Sequence, residues 1–498
     1  MTALPLIQPQ PARARASLAR SARTPFALAA LLSLGACTSL APNQKVDAPT
    51  SDKYLETPPG WMTAAPADTL ARGPWWTLFK DTVLDQLAPQ VQVSNQNVAA
   101  AAAAVEESWA AVREQRAAFF PTLSADVGVT RSGVGGKKSS SSSSAATTTS
   151  SSGNRYSAGL SASWAPDLWG SIANSVSAAK ATAQASEADL ANATLSAQTT
   201  FATDYLSVRE ADAETAILQA TIVGYERSLK ITQNRYAAAI AAKSDVLQAE
   251  TTLANARASL AALVQQRKQL FHAMAVLAGQ PPATFSLPQG DWDSSSVPAI
   301  PAAVPSELLQ RRPDIAAAER RVAVANAQIG VARAAYFPSL ALTGDAGQSA
   351  SSLSRLFNVS SFAWSLGASL AETLFDGGAR TARVDEARAN WKEAVANYRQ
   401  TVLTAIQGVE DQLSNASALE EQQTQLRDAS QAADQTEQIM QNQYQQGLVA
   451  YTDVVTAQGS ALAARRALMQ MSLSRQTAAL QMIADLGGGW STQKLTND

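Results

Sequence analysis

A chain that makes or breaks covalent bonds needs nucleophiles, bases or metal ligands, and this one has few. Its 498 residues contain one cysteine, Cys37, and one histidine, His272. A single cysteine excludes an internal disulfide framework and a multi-cysteine metal site; a single histidine excludes multi-histidine zinc. Any Cys–His or Ser–His–Asp chemistry would rest on His272 alone. That residue lies in Leu270-Phe271-His272-Ala273-Met274, in a helix-end segment with no companion motif, and reads as packing rather than catalysis. No catalytic residue, metal or cofactor is therefore expected. A formal charge of -2 without a basic excess gives no footprint for nucleic acid. Charged residues make up 16% of the chain against 46% hydrophobic, where soluble domains carry ~25% charged. Large surfaces that face something other than bulk water are implied.

Cys37 belongs to an export segment. Residues 1–36 carry Arg13, Arg15, Arg20 and Arg23, then an apolar run from Phe26 to Leu34 that ends in Leu34-Gly35-Ala36-Cys37. A basic stretch, a short apolar stretch and a small-residue cleavage site make a secretory signal. The apolar run is far shorter than the ~20 residues of a spanning helix. The Leu-Gly-Ala-Cys ending resembles the bacterial lipobox, where cleavage leaves a lipid-modified cysteine at the N-terminus. The alternative is an ordinary signal peptide with an incidental cysteine. Thr38 after the cysteine suits sorting to the outer membrane within the lipoprotein resemblance.

The elements that follow come twice. Ala118-Phe119-Phe120-Pro121-Thr122-Leu123 recurs as Ala335-Tyr336-Phe337-Pro338-Ser339-Leu340, 217 residues later. Asn234-Arg235-Tyr236 and Lys243-Ser244-Asp245-Val246-Leu247 recur 208 residues later as Asn442-Gln443-Tyr444 and Tyr451-Thr452-Asp453-Val454-Val455. Leu277-Ala278-Gly279 parallels Leu486-Gly487-Gly488, where each long helix should end on glycine. Units of this size are too long for a solenoid repeat and read as a duplicated domain. The expected layout is a signal peptide at 1–36, a linker from the lipid anchor at 37–73, a first repeat at 74–280, a Pro-rich linker at 281–305, a second repeat at 306–488 and a tail at 489–498.

Each repeat holds two segments with period-2 alternation, at about 122–131 and 155–165, then about 339–348 and 361–371. The clearest sets Phe362, Trp364, Leu366, Ala368 and Leu370 against Ala363, Ser365, Gly367 and Ser369. Runs of ~10 residues with an apolar face and a small, polar face suit tilted strands between lipid and a wet lumen. Alternation alone also fits a soluble sandwich whose apolar face packs inward. The nearly pure Ser/Thr run from 137 to 152 reads as a polar surface loop. Four strands do not close a membrane barrel, for which the smallest known count is ~8. An open edge in lipid would strand backbone groups. If these strands span a membrane, several chains must share the barrel.

Long helical stretches, about 171–278 and 377–486, follow the strand pairs. In the second, Val384, Ala387, Trp391, Ala394, Tyr398, Val402, Ala405, Val409 and Leu413 recur at steps of three and four, a coiled-coil-like seam. A helix over 379–443 would reach ~100 Å at 1.5 Å per residue. Each stretch is interrupted where the repeat motif falls, between Tyr236 and Asp245 and between Tyr444 and Asp453. Gly447 can end one helix, and both aspartates sit where the next begins, at its positive dipole end. The acids read either as helix caps or, with Tyr444, as the lining of a constriction.

These motifs together resemble the TolC-like outer-membrane efflux factors, in the NodT/OprM lipoprotein branch. Leu308-Leu309-x-Arg311-Arg312-Pro313-Asp314-Ile315-x-x-Ala318-Glu319 carries the likeness. So do Ala334-Ala335-Tyr336-Phe337-Pro338-Ser339-Leu340, Tyr444-x-x-Gly447 with Asp453-Val454, Trp164-x-Pro166-Asp167-Leu168-Trp169-Gly170 and Leu374-Phe375-Asp376-Gly377-Gly378. The physical reading of Arg-Arg-Pro-Asp is architectural: Pro313 favours a helix start and Asp314 adds charge to its first turn. The resemblance implies an α+β membrane protein, a homotrimer with one 12-stranded β-barrel above a long periplasmic α-helical barrel. It implies an outer-membrane exit duct of a tripartite pump, a periplasmic adaptor and an inner-membrane RND-type transporter as partners, and no enzyme activity. A stand-alone porin or a structural envelope lipoprotein is the alternative. Family aperture residues carry over to Tyr444, Asp453 and Asp245. Adaptor-contact tips carry over to Ala239, Ile240 and Ala241 and to Gly447, Leu448 and Val449. The sequence departs from the family at Ala239, where glycine is usual, and at Val449, where some members have a basic residue.

Overall fold

The computed structural model describes residues 40–44, 46–50, 54–55, 74–133, 152–288, 292–298 and 312–488. The signal peptide, Cys37, Arg311, the tail and most of the Ser/Thr run lie outside the described residues, as do parts of both linkers. The chain divides into two compact units: Met1–Asn43 with Glu114–Val176 and Asn326–Ala387, and Gln44–Arg113 with Ser177–Ala325 and Arg388–Asp498.

A short 3-10 turn, Trp75–Phe79, leads into α1 (Thr82–Ser94) and α2 (Gln96–Ala117). The strands β1 (Thr122–Gly133) and β2 (Ser152–Trp164) follow, then α3 (Ser171–Ala237) and α4 (Lys243–Leu277). The second half runs α5 (Pro313–Ala334), β3 (Ser339–Ala350), β4 (Phe362–Ala371), α6 (Ala379–Gln445) and α7 (Tyr451–Asp485). α3 and α6 are each 67 residues long, and α4 and α7 each 35. All four bounds repeat at the 208-residue offset of the sequence motifs.

The first unit holds one antiparallel sheet in the order β1-β2-β3-β4, with β1 and β4 at its edges. Residues paired directly across strands share a face. The register sets Ala125 beside Leu160, Leu160 beside Ala346 and Ala346 beside Trp364. The alternating apolar sets thus fall on one face of all four strands. Asp126, Ser161, Asp345 and Ser365 fall on the other. β1 and β2 extend past the alternating stretch, with Thr130–Gly133 still paired to Ser152–Arg155.

The second unit is helical. Tyr398, Val402, Ala405, Val409 and Leu413 of the α6 seam, together with Val395 next to Ala394, are buried against Ile315, Ala318 and Val322 of α5 and Met482 of α7. A second core joins Trp75, Phe79, Leu84 and Val91 to Phe201 and Tyr205 of α3, Met274 of α4 and Leu480 of α7. α4 ends at Gly279, whose φ of +68° and close approach to Ser94 leave no room for a side chain: a Cβ would meet the Ser94 carbonyl oxygen at 1.9 Å. Among the described residues, no helix is long and apolar enough to cross a membrane.

Candidate functional site

The two turns that join the long helices are built alike. After α3, the Ile240 amide donates to the Arg235 carbonyl at 2.9 Å; after α6, the Leu448 amide donates to the Gln443 carbonyl at 2.9 Å. Such a Schellman closure requires a left-handed residue just past the helix. Gly447 supplies it at φ +77°, and Ala239 takes the same region at φ +61°. Ile240 and Leu448 project from these turns, 67% and 70% exposed.

The expected aperture residues are presented differently from one another. Tyr444 is 5% exposed, in a cluster with Ala249, Tyr451 and Val454. Its ring lies 5.2 Å from that of Tyr451, and the Arg235 guanidinium sits 4.6 Å over its face. Arg235 Nη1 donates to the Tyr444 carbonyl at 2.8 Å and to the Gln445 carbonyl at 3.3 Å. A cation thus caps the last carbonyls of α6, where the helix dipole favours it. Tyr451 bonds Ser228 of α3 at 3.3 Å, and burial pushes its hydroxyl above the usual tyrosine range.

Asp453 is exposed. Its Oδ2 accepts from the Ala450 amide at 3.2 Å, so it caps α7. Together with Met440, Val449, Thr456 and Ser460 it lines an open groove of about 550 Å³. Asp245 is half-buried in the first turn of α4 and receives the Ser244 hydroxyl at 3.3 Å. Arg235 and Tyr451 stand inside the repeat motifs without an assigned role, and Ser228 lies outside them. The one signal was the cation next to Tyr236 at the end of α3.

Arg312 forms a second junction. Its Nε and Nη2 clasp the Asp314 carboxylate at 3.0 and 2.8 Å, and Nη1 donates to the Asp485 carbonyl at 2.9 Å. Pro313 opens α5, as its fixed φ favours. Asp314 does more than supply first-turn charge: it orients the arginine that closes the end of α7. The strand-to-helix junctions are capped too. Asp167 accepts from the Ala173 amide at 2.7 Å and Asp376 from the Arg380 amide at 3.0 Å. The Arg380 side chain beside Asp376 holds that carboxyl below its ordinary range.

His272 is exposed on α4, with its ring 6.2 Å from that of Phe271. It stands outside the buried clusters of the chain. Among the described residues, no group of three His, Cys, Asp or Glu could hold a metal ion. A polar cavity of about 370 Å³ is lined by Glu210, Glu214, Gln266 and Arg466. Arg466 Nε donates to Glu214 at 2.5 Å. Burial, with Glu214 close by, pushes Glu210 up to about 7.

None of this is reaction machinery; the recurrent geometry is helix ends tied across a duplicated bundle. Residues 87–280 and 304–488 match the outer membrane efflux protein family. The chain belongs to that family. It is 32% identical over 479 residues to the pyoverdine export outer membrane protein OpmQ of Pseudomonas aeruginosa, covering 94% of this chain and 97% of that one. It is 29% identical over 473 residues to the cation efflux system protein CusC of Escherichia coli, covering 94% of this chain and 98% of that one. Among solved structures, the outer-membrane channel OprN superposes with a TM-score of 0.80 at 28% identity, covering 91% of this chain and all of that one. The mostly helical chain with its four-stranded antiparallel sheet matches those channels. The protein is therefore an outer-membrane efflux channel, a passive exit duct and not an enzyme.

Proposed function

We propose that three copies of the chain close one 12-stranded barrel in the outer membrane, continuous with a periplasmic helical barrel, as the exit duct of a tripartite pump. The sheet carries this reading. Its apolar face stands open, with Val127 84% and Leu366 80% exposed. The edge strands β1 and β4 keep unpaired backbone groups that lipid would not satisfy. Neighbouring copies that pair β4 with β1 remove both edges. Phe119, Phe120, Tyr336 and Phe337 lie exposed just before β1 and β3, where an aromatic belt would meet the membrane interface.

Within this reading the helix tips form the periplasmic aperture. Asp453 and Asp245 bring charge to it, and Tyr444 acts by packing the tip. The turns Ala239-Ile240-Ala241 and Gly447-Leu448-Val449 present apolar knobs to a periplasmic adaptor, which couples the duct to an inner-membrane RND-type transporter. Cys37 is the lipid anchor. Cargo is small and chemically diverse, as the names of relatives that export pyoverdine or cations suggest, and passes without chemistry. Native mass measurement of the detergent-extracted protein should give three chains. A strain lacking the gene should accumulate pump substrates. A single chain by mass, or unchanged export in that strain, overturns the reading.

A further inference from the structure

The polar cavity between α3, α4 and α7 has no part in the helix turns or the sheet. Side chains at helical spacing on each helix enclose its volume of about 370 Å³: Ser207, Glu210 and Glu214 of α3, Ser259 and Gln266 of α4, and Arg466 of α7. Glu210 and Glu214 are each 6% exposed. Arg466 donates to Glu214. Among the described residues no N–H or hydroxyl donates to Glu210, whose polar neighbour is the Glu214 carboxyl. A buried carboxylate without a donor is strongly disfavoured, and this one lines open space. The duplication shows that the fold does not require these charges. The long helices match residue for residue at the 208-residue offset. There Glu210 corresponds to Ala418, Glu214 to Gln422 and Arg466 to Ala258. The matching places of the bundle do without all three charges, so packing is not the reason for a buried acid at 210.

We propose that this cavity binds a small primary amine, held as its ammonium ion on Glu210 with the alkyl part against Leu263, Leu270 and Leu473. An ammonium brings the N–H donors that Glu210 lacks and a positive charge that offsets it. Leu263 is buried and the other two leucines are half-buried, so that wall is apolar, as small-molecule sites between helices are. Other ligand classes fit worse. An anion would meet two carboxyls and a guanidinium already bonded to one of them. A metal ion would find two carboxylates in a space wide enough for an organic molecule, and no group of three His, Cys, Asp or Glu among the described residues could hold one. A proton competes with the amine for Glu210, whose carboxyl is pushed up to about 7 by burial and by Glu214. Glu214 faces it from α3 and Arg466 from α7, while α4 brings Ser259 and Gln266, which do not titrate. Amine binding therefore strengthens as pH rises through about 7. Every residue of the site lies in one chain, so it does not rest on the shared-barrel reading.

Isothermal titration of the full-length, detergent-extracted protein with n-butylamine tests the site. The unaltered protein should bind one amine per chain, and 1-butanol, of equal length but uncharged, should bind at least tenfold more weakly. Glu210→Gln keeps the shape of the side chain and should weaken amine binding at least tenfold. Ala262 lines the cavity from an exposed position on α4; Ala262→Phe leaves both acids in place, fills the space and should abolish binding with melting unchanged. Affinity of the unaltered protein should fall at least tenfold from about pH 8 to about pH 5.5, and that of Glu210→Gln should hold level. No amine binding by the folded protein, equal binding of butanol, or equal amine affinity in Glu210→Gln overturns the site. Full binding in a folded Ala262→Phe protein puts the amine elsewhere and overturns it as well.

Discussion

Arg235 lies 4.6 Å over the ring of Tyr444 and donates Nη1 to that residue's own carbonyl at 2.8 Å. One side chain therefore fixes the tyrosine ring and the end of α6 together. A cation–π contact contributes about 1 kcal/mol, and a charge-assisted bond to a carbonyl about 2 kcal/mol. Arg235→Gln removes the stacked cation and weakens the hold on the Tyr444 carbonyl together. Single-channel recordings should show openings about tenfold more frequent or longer, with Arg235→Lys intermediate because it keeps charge without the fork. A lower melting temperature with unchanged openings would reduce Arg235 to a structural staple.

Ala239 occupies a left-handed conformation that glycine fills at Gly447. The strain of such a residue is about 1 kcal/mol. Ala239→Gly should raise the melting temperature of the purified protein, and Gly447→Ala should lower it by a similar free energy. Equal and unchanged melting of both variants would show that the turns relax freely.

Asp453 combines two roles that two substitutions separate. Its carboxylate caps the Ala450 amide, which Asp453→Asn can preserve and Asp453→Ala cannot. If the charge also lines the aperture, a ring of such acids favours cations. Asp453→Asn should reduce cation preference in salt-gradient reversal potentials with little change in melting, and Asp453→Ala should in addition raise conductance. Unaltered selectivity and conductance in both variants would leave Asp453 as a cap alone.

Much of the fold was legible because strand pairing and helix packing impose strict periods. Phe362 to Leu370 alternates cleanly since one face of β4 has no core to complicate it. β3 was weaker, with Gly344 and Ala346 on its apolar face, yet it pairs on both sides with β2 and β4; neighbours, not its own residues, settle it. The Tyr-to-Asp spacing located both helix turns. It did not tell which of these residues is buried, because Tyr444 is covered by Arg235, 209 positions away. Arg312 likewise reads locally as a neighbour of a helix start, while its partner Asp485 lies 173 positions on. His272 shows the same limit: an apolar sequence context did not bury it.

Arg312 is mostly buried, with 15% of its side chain exposed, and so is Asp485, at 14%. Removing one partner leaves the other carboxylate or guanidinium poorly solvated, at about 3 kcal/mol. Arg312→Ala should lower the melting temperature and slow assembly, read as a larger single-chain fraction on native gels. Arg312→Lys should rescue little, since one ammonium cannot clasp Asp314 and reach the Asp485 carbonyl together. Full rescue by lysine would show that charge alone matters there.

Glu210 makes the duct's stability depend on pH. Its carboxyl titrates at about 7 because it is buried and close to Glu214, while Arg466 opposes the shift only in part. Glu214 shares its helix, Arg466 and Gln470 face it from α7, and Ser259 and Gln266 face it from α4. The folded chain holds this proton more tightly than an unfolded chain, where the ordinary value is 4.5. Stability linked to Glu210 is therefore fully present below the unfolded value and is lost as pH rises through about 7. Asp204, pushed up to about 6 by burial, adds a slope of the same sign at lower pH. Melting temperature should fall between the unfolded value of 4.5 and the folded value of about 7, and level off above it. Glu210→Gln, which keeps the shape and loses the titration, should flatten the part above the Asp204 range. Parallel melting curves for the two proteins across that window would mean that Glu210 is ionised throughout.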